Sequence, residues 1–315
     1  MSGQYVDMRI PALLRISHGR HPVSDYAELT RLRAERPGAV AEAAARRVRR
    51  ETPAGGRPLL ILAADHPARG AFGVRDRPMA MASRVALLDR LRLALSRPGV
   101  DGVVATPDVL EDLLLLGELD GRVVLGSMNR GGLRGASFEL DDRFTACDAA
   151  TIAAMRYDGG KMLCRIDLDD PGTARTLEAC GRAVGELAER RLTALVEPLW
   201  ASRVRGWLNV DLSAEAVTRA VAVAQALGPT SAYTWLKIPA VDEMARVMEA
   251  TTLPALLLGG DPVEDPDVMY GRWAKALRLP GVRGLVVGRA LLYPPDDDVA
   301  AAVDVAASLI ADAAA

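Results

Sequence analysis

The run Leu59–Ala63 (LLILA) is a short apolar stretch that ends just before the polar pair Asp65-His66. A run of this length and composition is typical of a strand buried on both faces of a parallel sheet. Seven similar runs follow it along the chain: Gly102–Ala105, Val123–Gly126, Met162–Ile166, Thr193–Val196, Tyr233–Leu236, Ala255–Leu258 and Gly284–Val287. The sequence therefore predicts eight short parallel strands.

The segments between these runs have helical periodicity and helix boundary residues. Met79–Ser96 ends at Arg97-Pro98-Gly99, and Thr106–Gly117 begins with Thr-Pro-Asp. Further helices are predicted at Asp170–Arg190, Ser213–Leu227, Val241–Ala250, Asp265–Leu279 and Asp297–Ala313. Eight alternating strands and helices predict an α/β protein with a (β/α)8 TIM barrel. A doubly wound sheet is the alternative, but it usually has six strands, and no phosphate-binding glycine motif follows the first run.

Two regions lie outside this simple alternation. We assign residues 1–57 to an N-terminal helical extension and residues 58–315 to the barrel, with helices of the extension near Val23–Arg36 and Gly38–Glu51. The second helix ends in RRVRR (46–50), which has Glu42 and Glu51 beside it and is expected to form a solvated helix face. Residues 127–160 form a long glycine-containing connection, which is typical of lids and binding segments.

Composition excludes several classes of protein. The 315 residues carry a net charge of −2 and a pI of about 6.0, so no global field favours nucleic acid or an anionic membrane. No apolar run approaches the roughly 20 residues that span a bilayer, and no signal-peptide pattern is present. The three cysteines lack CxxC spacing, so we expect neither a disulfide framework nor a cysteine zinc site. We expect a cytoplasmic protein.

Barrel enzymes hold their catalytic groups at the carboxyl ends of the strands. Polar residues follow most of the predicted strands: Asp65, His66 and Arg69; Lys161, Arg165 and Asp167; Glu197; Lys237; Gly259, Gly260 and Asp261; Gly288 and Arg289. Because side chains alternate along a strand, Tyr233, Trp235 and Lys237 share one face, and the charged residues of 161–167 share another. We expect the face that carries Lys237 and the face that carries the charged residues of 161–167 to point into the barrel interior.

Lysine is scarce in this chain. Of its 39 basic residues only Lys161, Lys237 and Lys275 are lysines, so the other 36 are arginines. Burial and a second nearby cation disfavour an ammonium, which leaves an amine able to form a Schiff base with a carbonyl. The alternative is a buried ion network of Lys161 and Lys237 with Asp65, Asp167 or Glu197. Lys275, between Arg272 and Arg278, is expected at the surface.

The remaining candidate residues fit substrate handling. Glu197 and Asp65 suit proton transfer, either as acid–base groups or as salt-bridge partners of the lysines. Gly259, Gly260, Gly288 and Arg289 follow the last two strands, where this fold usually binds phosphate. The chain has only His18, His21 and His66, so we expect neither a metal nor another cofactor, and we expect His66 to be a hydrogen-bonded site residue.

In this order the motifs resemble a family of class I aldolases. Asp65-His66-Pro67-Ala68-Arg69-Gly70, Lys161, Glu197-Pro198-Leu199, Lys237, Gly259-Gly260 and Gly288-Arg289 look like the tagatose-bisphosphate and fructose-bisphosphate aldolases of the deoxyribose-phosphate aldolase superfamily. The resemblance covers about Leu59–Leu292. It implies that Lys237 carries the Schiff base, that Asp65, Lys161 and Glu197 are acid–base and positioning residues, and that Arg289 holds a phosphate.

Three positions depart from that pattern. His66 stands where the tagatose type often has Gln, Leu199 stands where the fructose-bisphosphate type has a catalytic Tyr, and the seventh strand lacks the second lysine of deoxyribose-phosphate aldolases. The chain is also similar to a barrel family associated with inositol catabolism, which implies a deoxy-keto-sugar acid phosphate as substrate.

The sequence thus favours a cofactor-free aldolase that cleaves or forms a C–C bond in a phosphorylated keto-sugar or keto-sugar acid. Its catalytic residues would be Lys237, Lys161, Glu197 and Asp65, and His66, Arg69, Arg165, Gly259, Gly260, Gly288 and Arg289 would bind substrate. Its partner would be this small phosphorylated molecule, with no nucleic acid or membrane, and we expect a homo-oligomer. The alternatives are a non-catalytic regulatory barrel that binds a sugar phosphate, and an isomerase or dehydratase that uses the same lysine as a base.

Overall fold

The computed structural model describes residues 26–50, 56–130, 132–260 and 265–314 of the chain. Eight parallel strands form a closed barrel, because the last strand pairs with the first. The strands of the described residues are β1 Leu59–Ala63, β2 Gly102–Ala105, β3 Val123–Ser127, β4 Gly159–Ile166, β5 Thr193–Val204, β6 Trp207–Val210, β7 Thr234–Pro239, β8 Ala255–Leu258 and β9 Val282–Val287. All but β6 belong to the barrel. The predicted (β/α)8 TIM barrel is confirmed.

Helices follow the barrel strands and cover its outside. They are α1 Ala27–Glu35, α2 Ala39–Arg46, α3 Arg84–Ser96, α4 Pro107–Leu115, α5 Ala149–Ala154, α6 Gly172–Glu189, α7 Ala214–Ala224, α8 Met244–Met248, α9 Pro266–Ala276, α10 Arg289–Leu292 and α11 Val299–Ala314. The helix predicted from Met79 begins only at Arg84, because the Ser83 side chain accepts a hydrogen bond from the Ala86 amide and caps the first turn. No helix in the described ranges is long and apolar enough to cross a membrane.

The core has two layers separated by the strands. Leu195, Leu256 and Val286 pack inside the barrel with Trp235 against them, whereas Leu236 and other residues of opposite parity pack between strands and helices. This alternation is the expected one, and it directs Lys237 and Lys161 into the barrel above an apolar floor.

Of the arginines in RRVRR (46–50), Arg47 is buried and Arg50 is partly buried, whereas Arg46 and Arg49 are exposed, so the expected solvated helix face is wrong for Arg47. The side chain of Arg47 is fully buried, and it donates to the carbonyls of Leu119, Arg122 and Arg156 and to Asp158. Each of these acceptors lies next to the amino end of β3 or β4. Because α2 ends at Arg46, Arg47 can turn inward and fasten the extension to the bottom of the barrel.

Strand β6 is an addition to the predicted barrel. It pairs antiparallel with the last four residues of β5, so residues 201–210 form a hairpin that rises from the carboxyl end of the barrel. Arg205 and Gly206 form its turn, and both have positive φ (51° and 85°). Two consecutive residues with positive φ are typical of a tight hairpin turn between twisted strands.

Candidate active site

A cavity of about 660 Å³ opens at the carboxyl ends of the barrel strands. It is lined by every residue predicted to act in catalysis or substrate binding except Arg165: Asp65, His66, Arg69, Lys161, Glu197, Lys237, Gly259, Gly260, Gly288 and Arg289. The cavity also contains Arg130, Arg272 and Asp242, the hairpin contributes Asn209 and Val210, and Leu212 follows the hairpin. The structure thus brings together residues from nine separate segments of the chain.

Two lysines and two carboxylates form a continuous ion network in this cavity. Lys237 Nζ lies 3.0 Å from Glu197 Oε1, and Lys161 contacts the other oxygen of Glu197. Lys161 Nζ is also 3.2 Å from Asp65 Oδ2. Both lysines are buried, with 1% exposure for Lys161 and 4% for Lys237. The predicted ion network is therefore present, and it surrounds the candidate nucleophile.

Burial and charge shift the titration of these groups. Burial lowers the pKa of Lys237, although Glu197 opposes this effect. Burial also lowers the pKa of Lys161 well below its usual value, and Arg130 lowers it further. Burial alone would raise the pKa of Glu197, but Lys161 and Lys237 outweigh it and hold the pKa well below the ordinary range. At neutral pH the site therefore holds an ionised Glu197 beside amines that release their protons more readily than exposed lysines do.

His66 and Arg69 offer unused hydrogen-bonding atoms to the cavity. Within the described ranges, His66 Nδ1 is buried without a hydrogen-bond partner, so the expected hydrogen bond is not found; the nearest Asp65 oxygen is 3.9 Å away. Burial, Arg289 and Lys237 lower the pKa of His66, which makes its imidazole neutral. Nε and Nη1 of Arg69 are likewise buried without a hydrogen-bond partner among the described residues. A bound polar or anionic substrate would satisfy these atoms.

The loops after β8 and β9 bring backbone close to one side of the cavity. A Cβ on Gly288 would lie 2.5 Å from the carbonyl oxygen of Ala63, so only glycine fits there. Gly260 has a φ of +70°, a conformation that favours glycine. Arg289 follows directly, and its Nη1 donates to the Gly73 carbonyl at 3.4 Å. Asp261, the next residue predicted at this site, lies outside the described ranges, as do His18 and His21.

Arg165, which the sequence predicted to bind substrate, lies outside the cavity. Its guanidinium is bound to the carboxylates of Asp142 and Glu139 and to the carbonyl oxygen of Glu139. It is buried and does not line the cavity. Arg165 therefore fastens the long connection between β3 and β4 to the barrel, because the two acidic residues of that connection occupy its donors.

Arg130 is the main site residue that the sequence reasoning did not single out. It lies in the long connection, three residues beyond the end of β3, and its guanidinium contacts Asp65 inside the cavity. Nothing in the sequence distinguishes it from other arginines of that connection, such as Arg134 and Arg143. The hairpin residues were missed because Arg205-Gly206 is not one of the pairs, such as Asn-Gly or Asp-Gly, that mark a tight hairpin turn in a sequence.

Comparison with known proteins assigns the family. The Cgl0159-like family model matches residues 57–307. The chain belongs to the Cgl0159-like family. In the same family, the crystal structure of Cgl0159 from Corynebacterium glutamicum is 53% identical, with a TM-score of 0.89 over 91% of this chain and 97% of that one. Among curated protein sequences, none matches the chain.

More distant solved structures share the fold of this Cgl0159-like chain. A Schiff-base-forming fructose-1,6-bisphosphate aldolase is 20% identical, with a TM-score of 0.60 over 86% of this chain and 99% of that one. An archaeal fructose-1,6-bisphosphate aldolase, solved with its catalytic Lys covalently bound to the carbinolamine intermediate, is 19% identical, with a TM-score of 0.59 and the same coverage. At this identity the likeness shows a common aldolase-like barrel.

Proposed function

We propose that this chain is a class I aldolase that acts on a phosphorylated keto-sugar or keto-sugar acid. The observation that carries the proposal is the contact of a buried lysine with an ionised carboxylate: Lys237 Nζ lies 3.0 Å from Glu197 Oε1 at the carboxyl end of the barrel. A lysine amine that loses its proton readily is the nucleophile of Schiff-base chemistry. The resemblance of the motifs to class I aldolases supports the same role for Lys237.

In the proposed reaction, the free amine of Lys237 attacks the substrate ketone to form a carbinolamine. Glu197 accepts a proton from the nitrogen and passes it to the carbinolamine oxygen, and a second proton, from the Lys161 ammonium, lets that hydroxyl group leave as water. The resulting iminium draws the electron pair of the adjacent C–C bond as a base removes the proton of the substrate hydroxyl. An aldehyde and an enamine form, and protonation and hydrolysis of the enamine then release the second product and the lysine.

The surrounding groups suit this sequence of proton transfers. Lys161, between Asp65 and Glu197, is placed to keep Glu197 oriented toward Lys237 and to donate to a substrate oxygen. Asp65 completes the support of Lys161. Among the described residues Glu197 contacts the proposed nucleophile directly, and Lys161 and Asp65 act on it through Glu197.

The charge of the cavity supports an anionic substrate. Six arginine and lysine side chains line it against three carboxylates. Arg272 and Asp242 pair with one another, with 3.0 Å between Nε and Oδ1. A phosphate near Gly259, Gly260, Gly288 and Arg289 would gain backbone and guanidinium contacts where the chain approaches closely.

Reduction with borohydride in the presence of keto-sugar phosphates tests the proposal. A covalent adduct is expected on the peptide that contains Lys237 and on neither of the other two lysines, and Lys237→Met should abolish it. Lys275→Met, at the exposed end of α9, is the matched control and should trap substrate normally. Absence of an adduct, or an adduct at Lys161, would refute the mechanism.

The products formed from the same substrates distinguish an aldolase from the alternative functions. An aldolase releases two fragments, whereas an isomerase or dehydratase leaves the carbon number of the substrate unchanged. A regulatory barrel would show a rise in melting temperature with a sugar phosphate, but neither an adduct nor turnover.

A further inference from the structure

Arg130 is a buried arginine of the cavity to which the proposed reaction assigns no step. It is 7% exposed, and its Nη2 contacts Asp65 Oδ2. Its Nε also donates to Ser127 Oγ at 2.9 Å, and that hydroxyl donates to the same oxygen of Asp65 at 2.9 Å. The guanidinium is thus held on Asp65 by a direct contact and by a hydroxyl bridge.

Arg130 is the first member of a row of alternating charges that ends at Lys237. Asp65, Lys161 and Glu197 lie between them, each in contact with the next. When Lys237 is an ammonium, the row contains three cations and two carboxylates. When Lys237 is a free amine, the remaining two cations and two carboxylates balance. In a buried site the balanced arrangement is favoured, since like charges repel strongly at low dielectric.

The contacts also indicate which lysine keeps its proton. Lys161 lies between two carboxylates, whereas Lys237 contacts only Glu197 among the described carboxylates. Although burial and Arg130 lower the pKa of Lys161, its two carboxylate partners favour the proton on Lys161 and leave Lys237, which has one, as the free amine. Without Arg130 the row of Asp65, Lys161 and Glu197 would carry one excess negative charge, which would hold a proton on Lys237.

We propose that Arg130 is a positioning residue whose guanidinium, fixed on Asp65, supplies the positive charge that leaves Lys237 as a free amine ready for Schiff-base formation. The inference rests on the proposed role of Lys237 as the nucleophile. The pKa of Lys237 shifts in the direction that the proposal requires. Burial lowers this pKa, Glu197 raises it, and among the charged groups that lower it Arg130 has the largest effect.

Other charged or titratable groups also surround Lys237, and they come from several elements. They are Glu197 from β5, Lys161 from β4, Asp65 and His66 after β1, Arg69 after the same strand, and Arg289 after β9. The neighbouring strand β8 presents Leu256–Leu258, which cannot titrate. Substitution of Arg130 leaves all of these groups in the chain, so a change in the protonation of Lys237 would report the loss of the guanidinium.

Competitive acetylation with acetic anhydride measures this protonation without any substrate. Peptide mass spectrometry follows the three native lysines, and in Arg130→Lys also the introduced one, with exposed Lys275 as the internal standard. Arg130→Gln should raise the pH of half-maximal labelling of Lys237 by about one unit. Asp65→Asn should lower it, because it removes a negative charge. The double variant should return close to the wild-type value, since the two lost charges cancel.

The charge-retaining variant Arg130→Lys separates electrostatics from packing. Its Lys237 midpoint should stay close to that of the wild type, even if the protein is less stable. Equal shifts in Arg130→Lys and Arg130→Gln, or no shift in Arg130→Gln, would overturn the proposal. If Arg130→Gln does not fold, Asp65→Asn and the double variant still decide, because loss of Arg130 must restore a midpoint that Asp65→Asn has lowered; an unrestored midpoint would overturn the proposal.

The outcomes distinguish this proposal from the proposed function. Labelling that shifts as expected in a protein that traps no ketone would support the role of Arg130 in the charge row and refute the aldolase. Normal trapping of ketone at Lys237, with unchanged labelling in Arg130→Gln, would support the aldolase and refute the role of Arg130.

Discussion

Arg47→Met should destabilise the protein because it removes the cation that joins the N-terminal extension to the bottom of the barrel. The side chain of Arg47 is fully buried, and it donates to three backbone carbonyls as well as to Asp158. Asp158 would keep its bonds from Arg49 and from the Val124 amide, at 3.0 and 2.9 Å. Each of the three carbonyls would lose the donor that Arg47 supplies, which methionine cannot replace, although the Leu119 carbonyl keeps the Arg122 amide at 3.3 Å.

The size of this effect follows from the groups left without partners. Removal of one member of a buried ion pair typically costs about 3–5 kcal/mol. The bonds that remain on Asp158 favour the lower half of that range, while three carbonyls that lose a donor, at about 1 kcal/mol each, favour the upper half. A chain of this size loses roughly 2 °C per kcal/mol, so the melting temperature should fall by about 6–10 °C.

Thermal and urea unfolding followed by circular dichroism would measure this loss. Arg46→Met is the matched control, because the neighbouring side chain is 71% exposed and its only described ion pair, with Glu42, spans 3.8 Å. An exposed pair of this kind contributes about 0–1 kcal/mol. Equal losses in the two variants would refute the conclusion that Arg47 fastens the extension to the barrel.

Two further predictions concern the site and the long connection. The pKa of Glu197 is depressed in the folded protein, so its carboxylate stabilises the fold fully above the unfolded pKa of about 4.3. This contribution is lost as the pH falls through the folded pKa. Glu197→Gln should therefore make the urea midpoint depend less on pH on the acid side. A Gln variant with the wild-type acid dependence would contradict this. Arg165→Met should speed protease cleavage within residues 132–146, because two carboxylates of that segment lose their cation, whereas exposed Arg175→Met should not; equal cleavage rates in both would contradict it.

The barrel was predictable because its determinants are local. Each strand is a short apolar run, and the order of runs and helices fixes the topology once the strands are parallel. The alternation of side chains then directs Lys161 and Lys237 inward, and the carboxyl ends of the strands collect Asp65 and Glu197. No step of this reasoning requires knowledge of a distant contact.

The residues that were missed or misassigned depend on distant contacts. Arg47 is buried because Asp158, 111 positions later in the chain, lies beneath it. Arg165 is directed away from the cavity because Asp142 and Glu139, on a connection without regular alternation, occupy its donors. For arginine the sequence cannot distinguish a substrate ligand from a structural cation, since both need the same guanidinium and differ only in which anion reaches it.

That distinction also explains why the scarcity of lysine is informative. A guanidinium remains charged under all ordinary conditions, whereas an amine can lose its proton when it is buried. In the cavity, Arg130 supplies a fixed positive charge on Asp65, and Lys161 and Lys237 supply amines on either side of Glu197. An arginine in place of Lys237 would pair with Glu197 equally well but would provide no nucleophile. Nearly all other basic residues of this chain are arginines. The lysine at position 237 therefore favours a role as a nucleophile over a role as a salt-bridge partner alone.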